Sequence, residues 1–302
     1  MRKRNILLIA IKPIILSVTI ALGMSGCSSD NKLYIASEPQ TAANYKEVNT
    51  ADNTNAVSAV TDMVNDTNTE VIKSWEEYEV QKVPLIAAIP DKNIFLYGIK
   101  DKGVILYYNN TGHFYDWNYM TPRFVLPRME LADFDRDGRE ELAVILYAGS
   151  GTGYSVEELH IVGVSENKVL SDDPKDKNYL LPNKEYFKDY IFTNYEEQLK
   201  KQIKLNTHKK GSSLMADVTV GKKVNSFELA NTEDDIDNNN IVFGNIVGFE
   251  IKDKKILARF ALGAIRKSYA SPDFIGEINS EVDFDSGVFT LKNLSFQKNS
   301  DS

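Results

Sequence analysis

From Val83 onward the chain is a succession of short apolar runs cut by turn residues, and that rhythm confines it to folds built mainly from strands. VPLIAAI, NIFLYGI and VILYY read as strands, with Asp101-Lys102-Gly103 as the hairpin turn between the second and third. ELAVILYAG and SVEELHIVGV continue the series. After Gly211 it resumes with LMADVTV, SFELA, NIVGFEI, KILARFALGAI, FIGEINSEVDF and VFTLKNLSF. Between these groups Phe187, Ile191, Tyr195, Leu199 and Ile203 recur every four residues, and Thr193 with Glu196 has capping-box spacing. That period predicts an amphipathic helix over 184–205, either continuous or broken at Thr193. The expected fold class is therefore mainly β (α+β), with antiparallel strands and hairpins and one or two helices in the middle. The globular body is 71–302, either one domain or two lobes (79–170 and 211–298) joined by the helix. No repeat of 20–50 residues is visible, which argues against a solenoid or a propeller of equal blades.

The first residues are an address. Arg2, Lys3, Arg4 and Lys12 supply a positive start, and residues 14–22 form an apolar run. So short a run does not cross a ~30 Å hydrocarbon core, which takes about 20 residues. The run ends in Met24-Ser25-Gly26-Cys27, which resembles the bacterial lipobox: a residue of moderate size, two small residues, then the cysteine that receives diacylglycerol before cleavage on its amino side. The family usually has Leu where this chain has Met24. Cys27 is the single cysteine, so no internal disulfide forms. The resemblance implies a signal peptide at 1–26 and a lipid anchor on Cys27 whose two acyl chains hold the protein to a membrane.

Residues 27–70 are rich in Ser, Thr, Asn, Asp and Ala and carry no sustained apolar period, the composition of a tether. A coil of that length spans roughly 35 Å end to end by the square-root rule. The whole chain has 35 Lys and Arg against 43 Asp and Glu, a formal charge of −8, and losing residues 1–26 takes it to −12. So negative a body does not neutralise phosphates as a general nucleic-acid binder must, and an anionic bilayer holds it off.

The strongest chemical signal is DFDRDGREEL at 133–142. Asp133, Asp135 and Asp137 alternate, Gly138 permits a sharp turn, and Glu141 follows at the ninth position. A loop curling around Ca²⁺ draws side-chain oxygens from the three aspartates, a backbone carbonyl from Arg139, and Glu141 directly or through water. An EF-hand needs a bidentate Glu at its twelfth position, and here that position is Val144, inside an apolar run. The alternatives are another divalent ion or a solvated acidic turn.

This loop resembles the calcium loops of FG-GAP and VCBS-type repeats, in which DxDxDGxxD/E joins two strands. The likeness covers about 12–20 residues, and propellers carry several such loops where this chain carries one, so it implies metal chemistry and not the propeller. A wider likeness, through ADFDRDGREELAVILYAGSGTGYSVEELHIV, YFKDYIFTNYEEQLKKQI, FGNIV and YASPDFIGEI, is to VCBS-like lipoproteins of low-GC Gram-positive bacteria, a family without an assigned activity.

Other features are weaker. Residues 149–155 (GSGTGYS) lack the Lys of a phosphate loop and read as a hairpin connection at the far end of the strand from the acidic loop. Nine aromatics lie between Phe95 and Phe124. Tyr107, Tyr108, Tyr115, Trp117 and Tyr119 are candidates for a recognition surface, although strand alternation sends about half of such rings to a core. His113, His160 and His208 show no metal-ligand spacing, and there is no GxSxG elbow. Glu158 and His160 share a strand face and read as a solvated pair. Asp283 and Asp285 read as a turn, and the acidic run at 233–237 as a solvated loop.

Together these readings describe a membrane-anchored extracytoplasmic lipoprotein with a calcium-braced hairpin, serving as a binding or cell-envelope module. Its partners are the membrane through Cys27 and an unidentified envelope ligand or protein, with no nucleic acid. Two alternatives from other classes are a hydrolase of envelope polysaccharide or peptide and a structural subunit of a membrane-bound assembly.

Overall fold

A computed structural model describes residues 70–109, 111–119, 124–164, 168–169, 180–181, 187–190, 192, 195–230, 236–266 and 272–299. The leader, Cys27 and almost all of the expected tether lie outside these residues, as does the acidic run up to 235.

A short helix, α1 (Trp75–Val80), opens the described body. Its Ser74 cap accepts from the Glu77 N–H at 3.2 Å, and Glu77 in turn accepts from the Lys73 N–H at 2.7 Å. Next comes an antiparallel sheet in chain order: β1 (Leu85–Ile89), β2 (Ile94–Ile99), β3 (Gly103–Tyr108) and β4 (Thr111–Tyr115). Its β2–β3 turn is the Asp101-Lys102-Gly103 turn expected from sequence. At Gly103, φ is +139° and an added Cβ would stand 2.1 Å from the Tyr115 carbonyl oxygen, so glycine is required twice over.

The second sheet starts with β5 (Arg128–Ala132), β6 (Glu141–Gly151) and β7 (Tyr154–Gly163). β8 (Lys168–Val169) and β9 (Leu180–Leu181) form a two-stranded ladder, and β10 (Asp189–Tyr190) pairs with β7. The helix α2 (Tyr195–Gln202) leads into a three-stranded meander, β11 (Ile203–Lys210), β12 (Ser213–Val220) and β13 (Lys223–Ala230). Four long strands complete the second sheet: β14 (Ile236–Lys252), β15 (Lys255–Arg266), β16 (Asp273–Asp285) and β17 (Val288–Lys298). Its order is β17-β16-β15-β14-β7-β6-β5. The fold is mainly β and almost wholly antiparallel, as the pattern predicts. The exception is the parallel pairing of β14 with β7 at Ile246↔Ser155 and Val247↔Val156. Strands from both suspected lobes thus belong to one sheet.

The helix over 184–205 needs correction. Of its four periodic residues among the described ones, Tyr195 and Leu199 are on α2 and Phe187 and Ile203 are not. The Phe187 N–H donates to the Gly163 carbonyl at 2.7 Å and Tyr190 lies opposite Ile161, so β7 takes this segment as a strand. Ile203 opens β11, opposite Val220. Ile191 lies outside the described residues; Phe187, just before β10, and Ile203, at the start of β11, are held by backbone pairing to two different strands, and such pairing overrides a period carried by single residues per turn.

β6 shows why an antiparallel strand reads as one unbroken apolar run. Leu142, Val144 and Leu146 face a core shared with Ile86, Leu96 and Leu106 of the first sheet. Ala143 and Ile145 face the opposite core, shared with the meander and the β14–β17 strands. Burial on both sides removes the usual alternation.

β17 ends the sheet order, and α2 covers its outer edge. Gln198 Oε1 accepts from the Leu291 N–H at 2.7 Å and Gln202 Nε2 donates to the Leu291 carbonyl at 3.4 Å. Two amides one helical turn apart take the place of a neighbouring strand, which protects an edge that would otherwise pair with another chain.

Candidate metal centre

The acidic loop joins β5 to β6. Ala132 pairs with Glu141, so the ends of the loop are held together by the ladder, and Phe134 packs into the core beneath it. Within the loop each early carboxylate takes a backbone N–H from further along. Asp135 Oδ1 accepts from Asp137 at 2.9 Å, Asp133 Oδ2 from Gly138 at 3.1 Å, and Asp137 Oδ1 from Arg139 at 2.9 Å. Arg136 has φ +66° and Gly138 φ +88°, which produces the tight curl.

Asp133, Asp135 and Glu141 each place a carboxylate oxygen within 4.8 Å of the others. Glu141 is almost fully buried and its Oε2 accepts from the N–H groups of Phe134 at 2.8 Å and Asp135 at 3.2 Å. Burial pushes its carboxyl up to about 7. The charges of Asp135 and Asp137 push the same way, and the two N–H donors pull only partly back. Asp133 Oδ1 is buried and has no hydrogen-bond partner.

Those facts test the fit of a cation. A hard divalent ion takes oxygens at about 2.3–2.6 Å, and three carboxylate oxygens within 4.8 Å of one another suit that radius. An orphaned buried carboxylate oxygen and a carboxyl driven up first by burial and further by neighbouring negative charge are both relieved by a positive ion. The residues fit the group.

Of the five positions expected to ligate, the structure brings these three together. Asp137 turns to Arg139, whose Nε donates to Asp137 Oδ2 at 2.8 Å and whose terminal nitrogen pairs with the same oxygen. The Arg139 guanidinium holds the Asp137 carboxyl below the usual range. Arg136, to which the sequence assigned no role, pairs with Asp283 and donates to the Phe284 carbonyl at 3.3 Å. This ties the loop to the β16–β17 hairpin. Asp283 and Asp285, read from sequence as a turn, are instead the end of β16, with the turn at Ser286-Gly287, and Asp285 accepts from Ser286 and Lys292.

The glycine-rich turn lies at the other end of β6, roughly 33 Å away at ~3.3 Å per residue, so it shares no site with the acidic loop. The expected aromatic surface also needs correction. Tyr107, Tyr115 and Trp117 are buried, while Tyr108 and Tyr119 are half-buried against the core between the sheets. Both faces of the first sheet carry apolar clusters, which takes up the rings that alternation would otherwise leave outside.

The Glu158 and His160 reading is corrected too. His160 stacks on Trp117 with centroids 4.0 Å apart, and its Nδ1 lies 3.1 Å from Asp189 Oδ2, which also accepts from Trp117 Nε1 at 2.9 Å. Glu158 Oε2 is 3.6 Å from His160 Nε2. Burial lowers the His160 pKa, but Asp189 and Glu158 outweigh it and the net direction is up. The stack continues through Tyr115 and His113 to Phe187, and Tyr115 donates to the Phe187 carbonyl at 2.8 Å. No sequence signal marks Asp189, which is far from Trp117 along the chain.

A groove of about 490 Å³ opens where β7 and β14 diverge beyond Val247. Glu157 fills the fork, accepting from the Phe249 N–H at 2.8 Å and from Arg128 at 3.0 Å. Comparisons of the chain with protein-family models, with curated proteins and with solved structures found no match.

Proposed function

We propose that this chain is a membrane-anchored extracytoplasmic lipoprotein whose β body, braced by calcium at the β5–β6 loop, serves as a binding or cell-envelope module. Location rests on Met24-Ser25-Gly26-Cys27 after the apolar run. The observation that carries the metal reading is the convergence of Asp133, Asp135 and Glu141 oxygens, with Asp133 Oδ1 buried and unpartnered. Bound there, Ca²⁺ supplies positive charge and cross-links the loop to the first residue of β6, and its task is structural. Among the described residues no helix is long and apolar enough to cross a membrane.

The test is thermal. Chelation lowers the melting temperature and added Ca²⁺ restores it by linkage, while Asp135→Ala melts at one temperature in both conditions. A wild-type melt indifferent to chelator and calcium refutes the brace. For the anchor, Cys27→Ser releases or mislocalises the protein, and fractionation that leaves it as firmly membrane-bound as wild type refutes the lipid anchor.

A further inference from the structure

The lysines of this acidic chain are unevenly placed. Between positions 200 and 223 there are seven lysines and one acid, Asp217, while all other positions carry 28 Lys and Arg against 42 Asp and Glu. The run covers the end of α2 and most of the β11–β13 meander. Leu214, Ala216 and Val218 turn one face of the meander into the core, so its other face and its turns meet solvent.

The register concentrates the charge at one end. Thr219 lies between Lys204 and Val224, and Val220 between Ile203 and Lys223. Lys204, Lys222 in the β12–β13 turn, and Lys223 and Val224 at the start of β13 therefore form a single tip, and α2 feeds into it directly through Lys200 and Lys201. Those two are tied to Glu196 at 2.6 Å and Glu197 at 3.9 Å. Lys204, Lys222 and Lys223 are exposed and have no carboxylate partner among the described residues. Val224 is 57% exposed. Asp217 sits further along and is engaged by Ser226 and His208.

Unpaired ammonium groups around an exposed branched apolar side chain suit a headgroup–water boundary, where lysines meet phosphates and a short apolar group enters shallowly. We propose that the Lys204, Lys222, Lys223 and Val224 tip docks on the anionic leaflet that carries the Cys27 anchor, and so fixes the orientation of the body. This rests on the lipid-anchor reading. Net charge pushes the body away from the bilayer and the tip opposes that push locally, so the body contacts the surface at one place. Each lysine near an anionic surface contributes roughly a fivefold gain in partition, and three give on the order of a hundredfold.

The experiment uses the full lipidated protein carrying Val224→Cys, the only free thiol once Cys27 is acylated, labelled with a polarity-sensitive dye. It is mixed with phosphatidylcholine vesicles, or with vesicles that also contain phosphatidylglycerol. The expected result is binding to both, with a blue shift only on phosphatidylglycerol that is reversed by salt. Lys204→Glu with Lys222→Glu and Lys223→Glu removes the shift, and the milder Lys222→Gln with Lys223→Gln weakens it with melting unchanged. Failure to bind neutral vesicles refutes the lipid anchor. Binding to both without a shift overturns the docking tip alone, as does an equal shift with soluble polyphosphate in the absence of vesicles.

Discussion

Replacing Glu141 by Gln should make the chelated protein more stable and the calcium-loaded protein less responsive. Glu141 is almost fully buried, and its carboxyl is raised from 4.5 to about 7 by burial and the nearby aspartate charge. A raised acid binds its proton more tightly in the native state than in the unfolded one. Its contribution is therefore complete below 4.5 and is lost as pH rises through about 7. At ~1.36 kcal/mol per tenfold, ionising it in place costs on the order of 3 kcal/mol. The amide that replaces the carboxyl keeps an oxygen for the N–H groups of Phe134 and Asp135 and has nothing to ionise. For a body of this size about 1 kcal/mol moves the melting temperature by roughly 2–4 °C. In chelator at pH 8, Glu141→Gln should melt several degrees above wild type, and at pH 4.5 the two should nearly coincide. Saturating calcium should reverse the order at pH 8, because wild type gains a charged ligand that the variant lacks. Scanning calorimetry with and without chelator reads all four conditions. Equal melting of the two proteins in chelator at both pH values would refute the claim that an uncompensated negative charge is buried at the start of β6.

Three further outcomes follow from the packing. Asp189→Asn should flatten the stability loss that wild type shows as pH rises through the raised His160 pKa, since protonated His160 gains its partner below that point; urea midpoints between pH 5 and 8 measure it. Gln198→Ala leaves the Leu291 N–H without its acceptor and should cost about 1–2 kcal/mol by denaturant unfolding, with more self-association along β17. Gly103→Val meets the Tyr115 carbonyl and a positive φ together and should abolish soluble expression, whereas Gly211→Ala, at φ +65° but with open space around its Cβ position, meets the backbone strain alone, about 1 kcal/mol, and should fold but melt a few degrees lower.

Strand positions were legible wherever one side chain in two, or every side chain, was apolar. β1–β3, β6, β7 and β12–β17 stand where VPLIAAI, ELAVILYAG and their counterparts lie. β4, with Thr111, Gly112 and His113, and β5, with Arg128 and Glu130, were not legible, because edge and half-covered strands carry too little apolar pattern. The acidic loop was legible as a loop because its spacing is local and its converging carboxylates lie within nine residues. The Asp189–His160–Trp117 cluster was not, since segments distant in sequence build it, and Trp117 looks the same in sequence whether it faces a ligand or an imidazole. The helix period misled for a related reason: a spacing of four is also produced by chance when a turn residue before β10 and the first residue of β11 stand on either side of a helix of two turns.

The sheet order is open, with β5 at one end and β17 at the other, yet the β5–β6 loop touches the β16–β17 hairpin. Arg136 pairs with Asp283 and donates to the Phe284 carbonyl, while Tyr190 of β10 packs edge-on to both Phe284 and Phe289. The two ends of the strand order thus meet at this end of the body, and the sheet rolls around the core formed with the meander and α2. Arg136 lies between Asp135 and Asp137 in the tightest part of the loop, so whatever fixes the carboxylates also fixes the guanidinium. A cation held by Asp133, Asp135 and Glu141 would stiffen the loop at the point where the roll closes. Its loss should then appear as a lower temperature for the cooperative transition of the whole β body, measured alike by far-ultraviolet and tryptophan signals. A separate early transition seen by one probe alone would place the loop outside the closing contact and reduce calcium to a local ornament of the hairpin.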